Sequence, residues 1–209
     1  AHVAAWRVTR RADVRRRAKA IARWAAGTMV DPGGGFRAFQ RAGAPPASAV
    51  YTDASARMAA ALVEAAAEFE DAALPRTAIG AIERLVAAVY RPGDGVAHGL
   101  GAAAGVRGLL ADQWAAARAL VAAHELTGDP VWAMLAEELA RTSLRRHRDE
   151  ARGGFFDRLP WDADRDPPGL LREPVKPVRA NAEAARVLRR LAALSGDRAF
   201  DDRARETLA

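Results

Sequence analysis

Leu126-Thr127-Gly128-Asp129-Pro130-Val131-Trp132 returns 68 residues later as Leu194-Ser195-Gly196-Asp197-Arg198-Ala199-Phe200. Each copy breaks two helical runs with a small hydroxylated residue, Gly and Asp, and the next run carries an aromatic in its first turn. The preceding runs also align, Ala116 with Ala184, Arg118 with Arg186 and Leu120 with Leu188. The repeated unit is therefore a helical hairpin, and a period of this size predicts stacked supersecondary units. Working outward, the pattern predicts an all-α chain of about seven helices in antiparallel hairpins. Its inner helices fall near 52–68, 111–126 and 180–194, and short Gly-rich β-turns join the units.

Composition agrees. The 209 residues suit one domain spanning 1–209, and Ala, Leu, Arg and Glu, all strong helix formers, dominate the runs. No apolar run reaches the ~18 residues of a membrane span. The N-terminus lacks the charged, apolar and small-residue regions of a signal peptide, so a cytoplasmic location is expected. With no cysteine, disulfides, thiol nucleophiles and Cys-ligated zinc are excluded. The net charge of +6 is carried almost wholly by Arg, Lys19 and Lys176 being the only lysines. It is densest in Arg7, Arg10, Arg11, Arg15, Arg16, Arg17, Lys19 and Arg23. Within that stretch Val14, Ala18, Ile21 and Ala25 recur at helical spacing, which makes it an amphipathic helix with a solvated basic back. No interleaved aromatic platform or nucleic-acid motif accompanies it, so nucleic acid is not an expected partner.

Between the helices, Gly34-Gly35-Phe36 and Gly153-Gly154-Phe155 read as tight turns whose aromatic plugs the core, with Gly95-Val96 in the corresponding place between them. None has the strand and Gly-Lys-Ser/Thr of a phosphate loop. Thr52 or Asp53, and later Asp112, suit helix N-caps. A Pro/Asp-rich loop spans 160–174.

Tyr51-Thr52-Asp53-Ala54-Ser55-Ala56-Arg57-Met58, Leu110-Ala111-Asp112-Gln113, Leu126-Thr127-Gly128-Asp129, Gly153-Gly154-Phe155-Phe156 and Asn181-Ala182-Glu183-Ala184-Ala185 occur in an order that resembles the YyaL-type proteins. That family includes the spermatogenesis-associated, thioredoxin-domain-containing proteins. The resemblance runs from about Trp24 to Leu208. It implies part of an (α/α)6 toroid of the six-hairpin glycosidase superfamily, with inner-helix ends and loops forming the mouth of a central cavity. The chain departs from the family in having no thioredoxin-like domain. Phe36 is also followed by Arg37-Ala38-Phe39-Gln40-Arg41-Ala42 in place of an acidic segment.

Two functions stay open: a sugar-binding or sugar-processing toroid, acting as an epimerase, isomerase or hydrolase, and a non-catalytic scaffold that docks a partner. Hydrolysis needs two carboxylates facing each other, and Asp53 and Asp112 are read at equivalent inner-helix starts, both pointing at the mouth. Epimerisation needs a group that takes a proton from carbon and returns it, a task suited to histidine. Of the four histidines, His98 lies in a Gly-flanked turn at the mouth, while His2 is terminal, His124 sits at a helix end and His147 is expected in solvent. Tyr51, Trp114 and Phe156 are candidate sugar platforms, and Lys176, Arg179 and Asn181 are candidate hydrogen-bonding residues. No His-x-x-x-His or ligand cluster calls for a metal, and no motif calls for a cofactor. Three and a half hairpins do not close a ring of six. The chain is thus expected to be a piece of something longer or to self-associate, through Val14, Ile21 and Trp24 at one end and Phe200 and Leu208 at the other.

Overall fold

The computed structural model describes residues 2–159 and 173–208. Eight α-helices are present among them: α1 (His2–Thr9), α2 (Ala12–Thr28), α3 (Thr52–Phe69), α4 (Ala73–Val89), α5 (Leu110–Thr127), α6 (Pro130–Arg146), α7 (Val178–Ser195) and α8 (Arg198–Leu208). Among the described residues sheet is confined to the pair β1 (Tyr90–Arg91) and β2 (Gly95–Val96) and to isolated bridges. The eighth helix, beyond the expected seven, is α1. Most of the 160–174 loop lies outside the described residues.

Helices α3, α5 and α7 pack side by side, and α4, α6 and α8 fold back on their outer faces. Each inner helix ends on a left-handed residue, Glu70 (φ 50°), Gly128 (φ 75°) and Gly196 (φ 74°), which reverses the chain in one step. Asp129 caps α6 by accepting from Val131 N–H at 3.0 Å, and Pro130 starts the helix. Leu62, Ala65 and Phe69 of α3, Ile82, Leu85 and Val89 of α4, and most of α5 from Leu110 to Ala123 lie in one contiguous core. Alanine at so many buried positions lets the helix axes approach closely, and the bulk comes from Trp114, Phe36, Phe69, Phe155 and Phe200.

The Gly-rich turns are held by one device used three times. The fourth residue of each inner helix reaches back to the turn. Ser55 Oγ accepts from Phe36 N–H at 2.8 Å, Gln113 Oε1 from Val96 N–H at 2.9 Å, and Asn181 Oδ1 from Phe155 N–H at 2.7 Å. Gln113 and Asn181 also donate to the carbonyls of the same residues, each at 2.9 Å. The residue before the held one is always a left-handed glycine, Gly35, Gly95 or Gly154, with φ between 71° and 75°. A Cβ there would meet the clamp itself, 2.3 Å from Ser55 Oγ, 2.2 Å from Gln113 Oε1 and 3.0 Å from Asn181 Oδ1. Phe36 and Phe155 plug the core as expected.

Several expectations change. The buried stripe of α2 is Ala18, Ala22 and Ala25 and not one through Ile21, whereas Ile21 and Trp24 are 44% and 46% exposed as expected for an open end. Phe200 is buried beneath the Arg141 guanidinium, 4.9 Å from its ring centre, so at that end only Leu208 is exposed. His147, expected in solvent, is buried with Nε2 3.0 Å from the Gly108 carbonyl oxygen, and burial lowers its pKa. The basic stretch is indeed a surface. Arg23 pairs with Asp71 at 2.7 Å, Arg7 with Glu68 at 2.9 Å, and Arg15 lies over Trp6 and Phe69. No described helix is long and apolar enough to cross a membrane.

Candidate active site

The mouth forms where the N-termini of α3 and α5 meet the loop between β2 and α5. Thr52 N–H donates to the His98 carbonyl (2.7 Å), Thr52 Oγ1 donates to the Ala97 carbonyl (2.6 Å), and His98 N–H donates to Val106 (2.7 Å). Tyr51 and Gly99 form a bridge. The next unit repeats this, Leu110 N–H donating to Asp157 at 2.8 Å and Leu109 bridging Arg158. His98 is therefore fixed by scaffold main chain, at the place that Asp157 takes in the following unit.

The expected own-helix caps do not form. The N-cap residues are Tyr51 and Leu109, neither with a side-chain cap bond. Asp112 turns instead toward its neighbours. Its Oδ2 lies 2.9 Å from His98 Nδ1 and its Oδ1 accepts from Asp53 N–H at 3.1 Å. The Asp112 side chain is 2% exposed and that of His98 is 31%. Burial pushes the Asp112 carboxyl up to about 6, His98 pulling it back and the nearby Asp53 charge adding to the rise. Asp53 and Asp112 are also out of register. Counted from the clamp residues Ser55 and Gln113, Asp53 is two positions earlier and Asp112 one, and only Asp53 remains partly exposed.

A carboxylate on Nδ1 fixes the imidazole in the Nδ1–H tautomer and supports the charge it gains on accepting a proton. Nε2 is the free nitrogen, with no hydrogen-bond partner among the described residues. Tyr51 stacks on the ring, centroids 5.0 Å apart and planes 24° apart. The arrangement suits proton transfer to and from Nε2. It does not suit a pair of hydrolytic carboxylates, because Asp112 is enclosed and directed at His98.

Asp53 links the mouth to an open groove of about 870 Å³ along the inner helices. Asp53 Oδ2 accepts from Arg57 Nη1 at 2.5 Å. Arg57 Nη2 donates to Glu183 Oε2 at 2.8 Å, and Arg118 lies 3.7 Å from Glu183 and 2.6 Å from Glu64. Against the cost of its own burial, Glu183 and Asp53 raise the Arg57 pKa. Arg57, Arg118, Glu64 and Glu183 were not singled out from sequence. For Arg118 a signal existed, since it repeats as Arg186 and both line the groove.

The other sequence candidates are placed as follows. Arg179 lines the groove. Trp114 is wholly buried, edge-on to Phe155 at 5.3 Å, and offers no face to a ligand. Asn181 is the clamp on Phe155. Lys176 donates to the Gly153 carbonyl at 2.7 Å, pairs with Asp149 at 2.5 Å and sits over Phe156 at 5.3 Å, away from His98 in sequence and in bonding. The structure thus gathers Tyr51, Asp53, His98 and Asp112 and leaves Lys176, Phe156 and Asn181 around the third turn.

The raised Asp112 pKa has a stability consequence. Its neutral form is favoured in the fold, so its contribution is complete below the unfolded value of 3.8 and is lost as pH rises through about 6. A two-unit rise corresponds to on the order of 2–3 kcal/mol. Asp112→Asn is expected to match the parent melting temperature near pH 4 and to exceed it by roughly 5 °C at pH 8. Thermal scans across that range test this, and a difference independent of pH would refute the assignment.

No protein-family model and no curated protein matches the chain. Solved structures do match in fold. A cellobiose 2-epimerase from Bacillus thermoamylovorans superposes with a TM-score of 0.77 over 99% of this chain and 56% of its own, at 12% identity. A D-mannose isomerase gives 0.75 over 99% and 56%, at 14% identity. An unsaturated glucuronyl hydrolase from Bacillus sp. GL1 gives 0.74 over 99% and 58%, at 17% identity. The described helices thus share the (α/α) toroid fold of these structures. The chain spans about half the length of the solved structures it matches.

Proposed function

We propose that this chain is the catalytic portion of a sugar-processing toroid in which His98 moves a proton at a sugar carbon, in an epimerase or isomerase reaction. The observation that carries the reading is the buried Asp112 carboxylate on Nδ1 of a partly exposed histidine whose Nε2 is free and whose ring is stacked on Tyr51. His98 takes the proton beside the carbonyl of an open-chain sugar, leaving an enediolate, and returns it to the other face or to the neighbouring carbon. Asp112 is a positioning residue, Tyr51 offers a ring edge, and Asp53 with Arg57 offers polar contacts. The toroid shared with a cellobiose 2-epimerase and a D-mannose isomerase supports a sugar as the ligand. The test is incubation of an aldose and ketose panel in D2O, with proton NMR reading deuterium entry at carbon. A parent protein that exchanges no sugar proton would defeat the reading.

The motif order from Tyr51 to Ala185 supports a place beside the YyaL-type proteins, and the lack of cysteine fits a cytoplasmic setting. We take residues 1–209 as one domain that works as a partial toroid. Its flank on α2, where Ile21 and Trp24 are exposed, is the place for a second copy or a further toroid segment. Sedimentation of the isolated chain is expected to show concentration-dependent association, and a stable monomer at all concentrations would count against this pairing.

A further inference from the structure

We propose that the groove along the inner helices takes an anionic sugar, a carbohydrate bearing a carboxylate or phosphate, and that Arg179 and Arg186 are its anchors. The inference rests on the sugar-processing reading and adds the charge of the substrate.

Six arginines and two glutamates line the groove. Both glutamates are engaged, Glu183 with Arg57 and Arg118 and Glu64 with Arg118. Arg190 is held by both oxygens of Glu125, at 2.9 and 2.6 Å, and Arg189 is 3.7 Å from Asp201. Arg179 and Arg186 have no carboxylate partner among the described residues. They lie seven positions apart on α7, so both point from one face of the helix into the same groove. Arg179 also sits in the first turn of α7, where the helix end itself favours negative charge. Unneutralised guanidinium groups in one cavity repel each other, and each presents a planar fork of donors matched to a carboxylate or phosphate. A bound anion relieves the repulsion and fills both forks.

Two observations make the anion a sugar and not a nucleic acid. Among the described residues the groove lining contains no aromatic side chain to act as a platform for stacking bases. Its volume of about 870 Å³ is that of a small-molecule site. Hydrogen bonds tie its wall to the mouth, from Arg57 through Asp53 and Asp112 to His98.

Titration calorimetry on the 209-residue chain tests this with three probes: digalacturonate, glucose 6-phosphate and neutral cellobiose. At least one acidic probe is expected to bind tenfold or more tightly than cellobiose. Arg179→Ala combined with Arg186→Ala is expected to remove that advantage while leaving cellobiose binding and the melting temperature unchanged, both side chains being exposed. Preference for digalacturonate identifies a uronate, and preference for glucose 6-phosphate identifies a sugar phosphate. His98→Asn is expected to leave affinity within twofold, so binding stands or falls separately from proton transfer. Equal binding of cellobiose, failure of both acidic probes at millimolar concentration, an unaltered double variant, or equally tight binding of a single-stranded DNA dodecamer would each overturn the proposal.

Discussion

His98→Asn is expected to lower solvent deuterium entry into the responsive sugar at least a thousandfold while moving the melting temperature by less than about 2 °C. A positioned base contributes about 10²–10⁴ in rate, and a thousandfold loss corresponds to roughly 4 kcal/mol of activation free energy. Stability is spared because the histidine is anchored by its main chain. The bonds from Thr52 N–H to its carbonyl and from its own N–H to Val106 survive the substitution. Asp112→Asn acts through the same ring. It is expected to cost less in rate and to shift the pH dependence of exchange, a change that loss of packing alone would not produce. Exchange at the parent rate in His98→Asn would remove His98 from the chemistry.

The second large effect is structural. Gly95→Ala is expected to cost about 3–5 kcal/mol and to lower the melting temperature by roughly 10 °C. The added Cβ falls 2.2 Å from Gln113 Oε1, on a backbone at φ 75° that side chains rarely adopt. Relieving the clash breaks the paired bonds between Gln113 and Val96 in a buried setting. Gly93→Ala is the control. Its φ of 73° is nearly the same, but nothing lies within 4 Å of the new carbon, so only the backbone strain of about 1 kcal/mol remains. Gly154→Ala, with its contact at 3.0 Å, belongs between the two. Equal destabilisation at Gly93 and Gly95 would mean that the clamp contributes little.

The hairpin architecture was legible because the Leu-Thr-Gly-Asp and Leu-Ser-Gly-Asp breaks mark chain reversals that require a left-handed residue, and Gly128 and Gly196 supply it. The first break was read from helix-period stripes alone, since Glu70 takes the same conformation without glycine's signature. Gly-Gly-Phe announced a turn, but its clamp was invisible because Ser55, Gln113 and Asn181 share a position and not a residue type. The same variety let Asn181 pass for a ligand contact. Tyr51, Asp53 and Asp112 were singled out by their place near inner-helix starts, and His98 by its Gly-flanked turn. Their roles were not, because Asp112 acts on the neighbouring helix and loop, a relation that spacing along one helix does not encode. Of the groove arginines only Arg179 was singled out, and the others went unread for a similar reason. Arg57 and Glu183 are 126 residues apart, and only the side-by-side packing of the inner helices makes them partners.

Each glycine clamp ties an inner helix to the turn just before it, and each left-handed break ties it to the outer helix just after. Restraints of this kind join sequence neighbours, so the molecule behaves as a linear array and melts from its ends inward. α5 is the keystone, flanked by α3, α6 and α7 and buried along most of its length. α1, eight residues long and without a buried side chain, belongs to the fraying margin. His98 hangs from the first turns of α3 and α5, so the segment expected to lose amide protection last in hydrogen exchange is also the one that holds the proposed proton-transfer site.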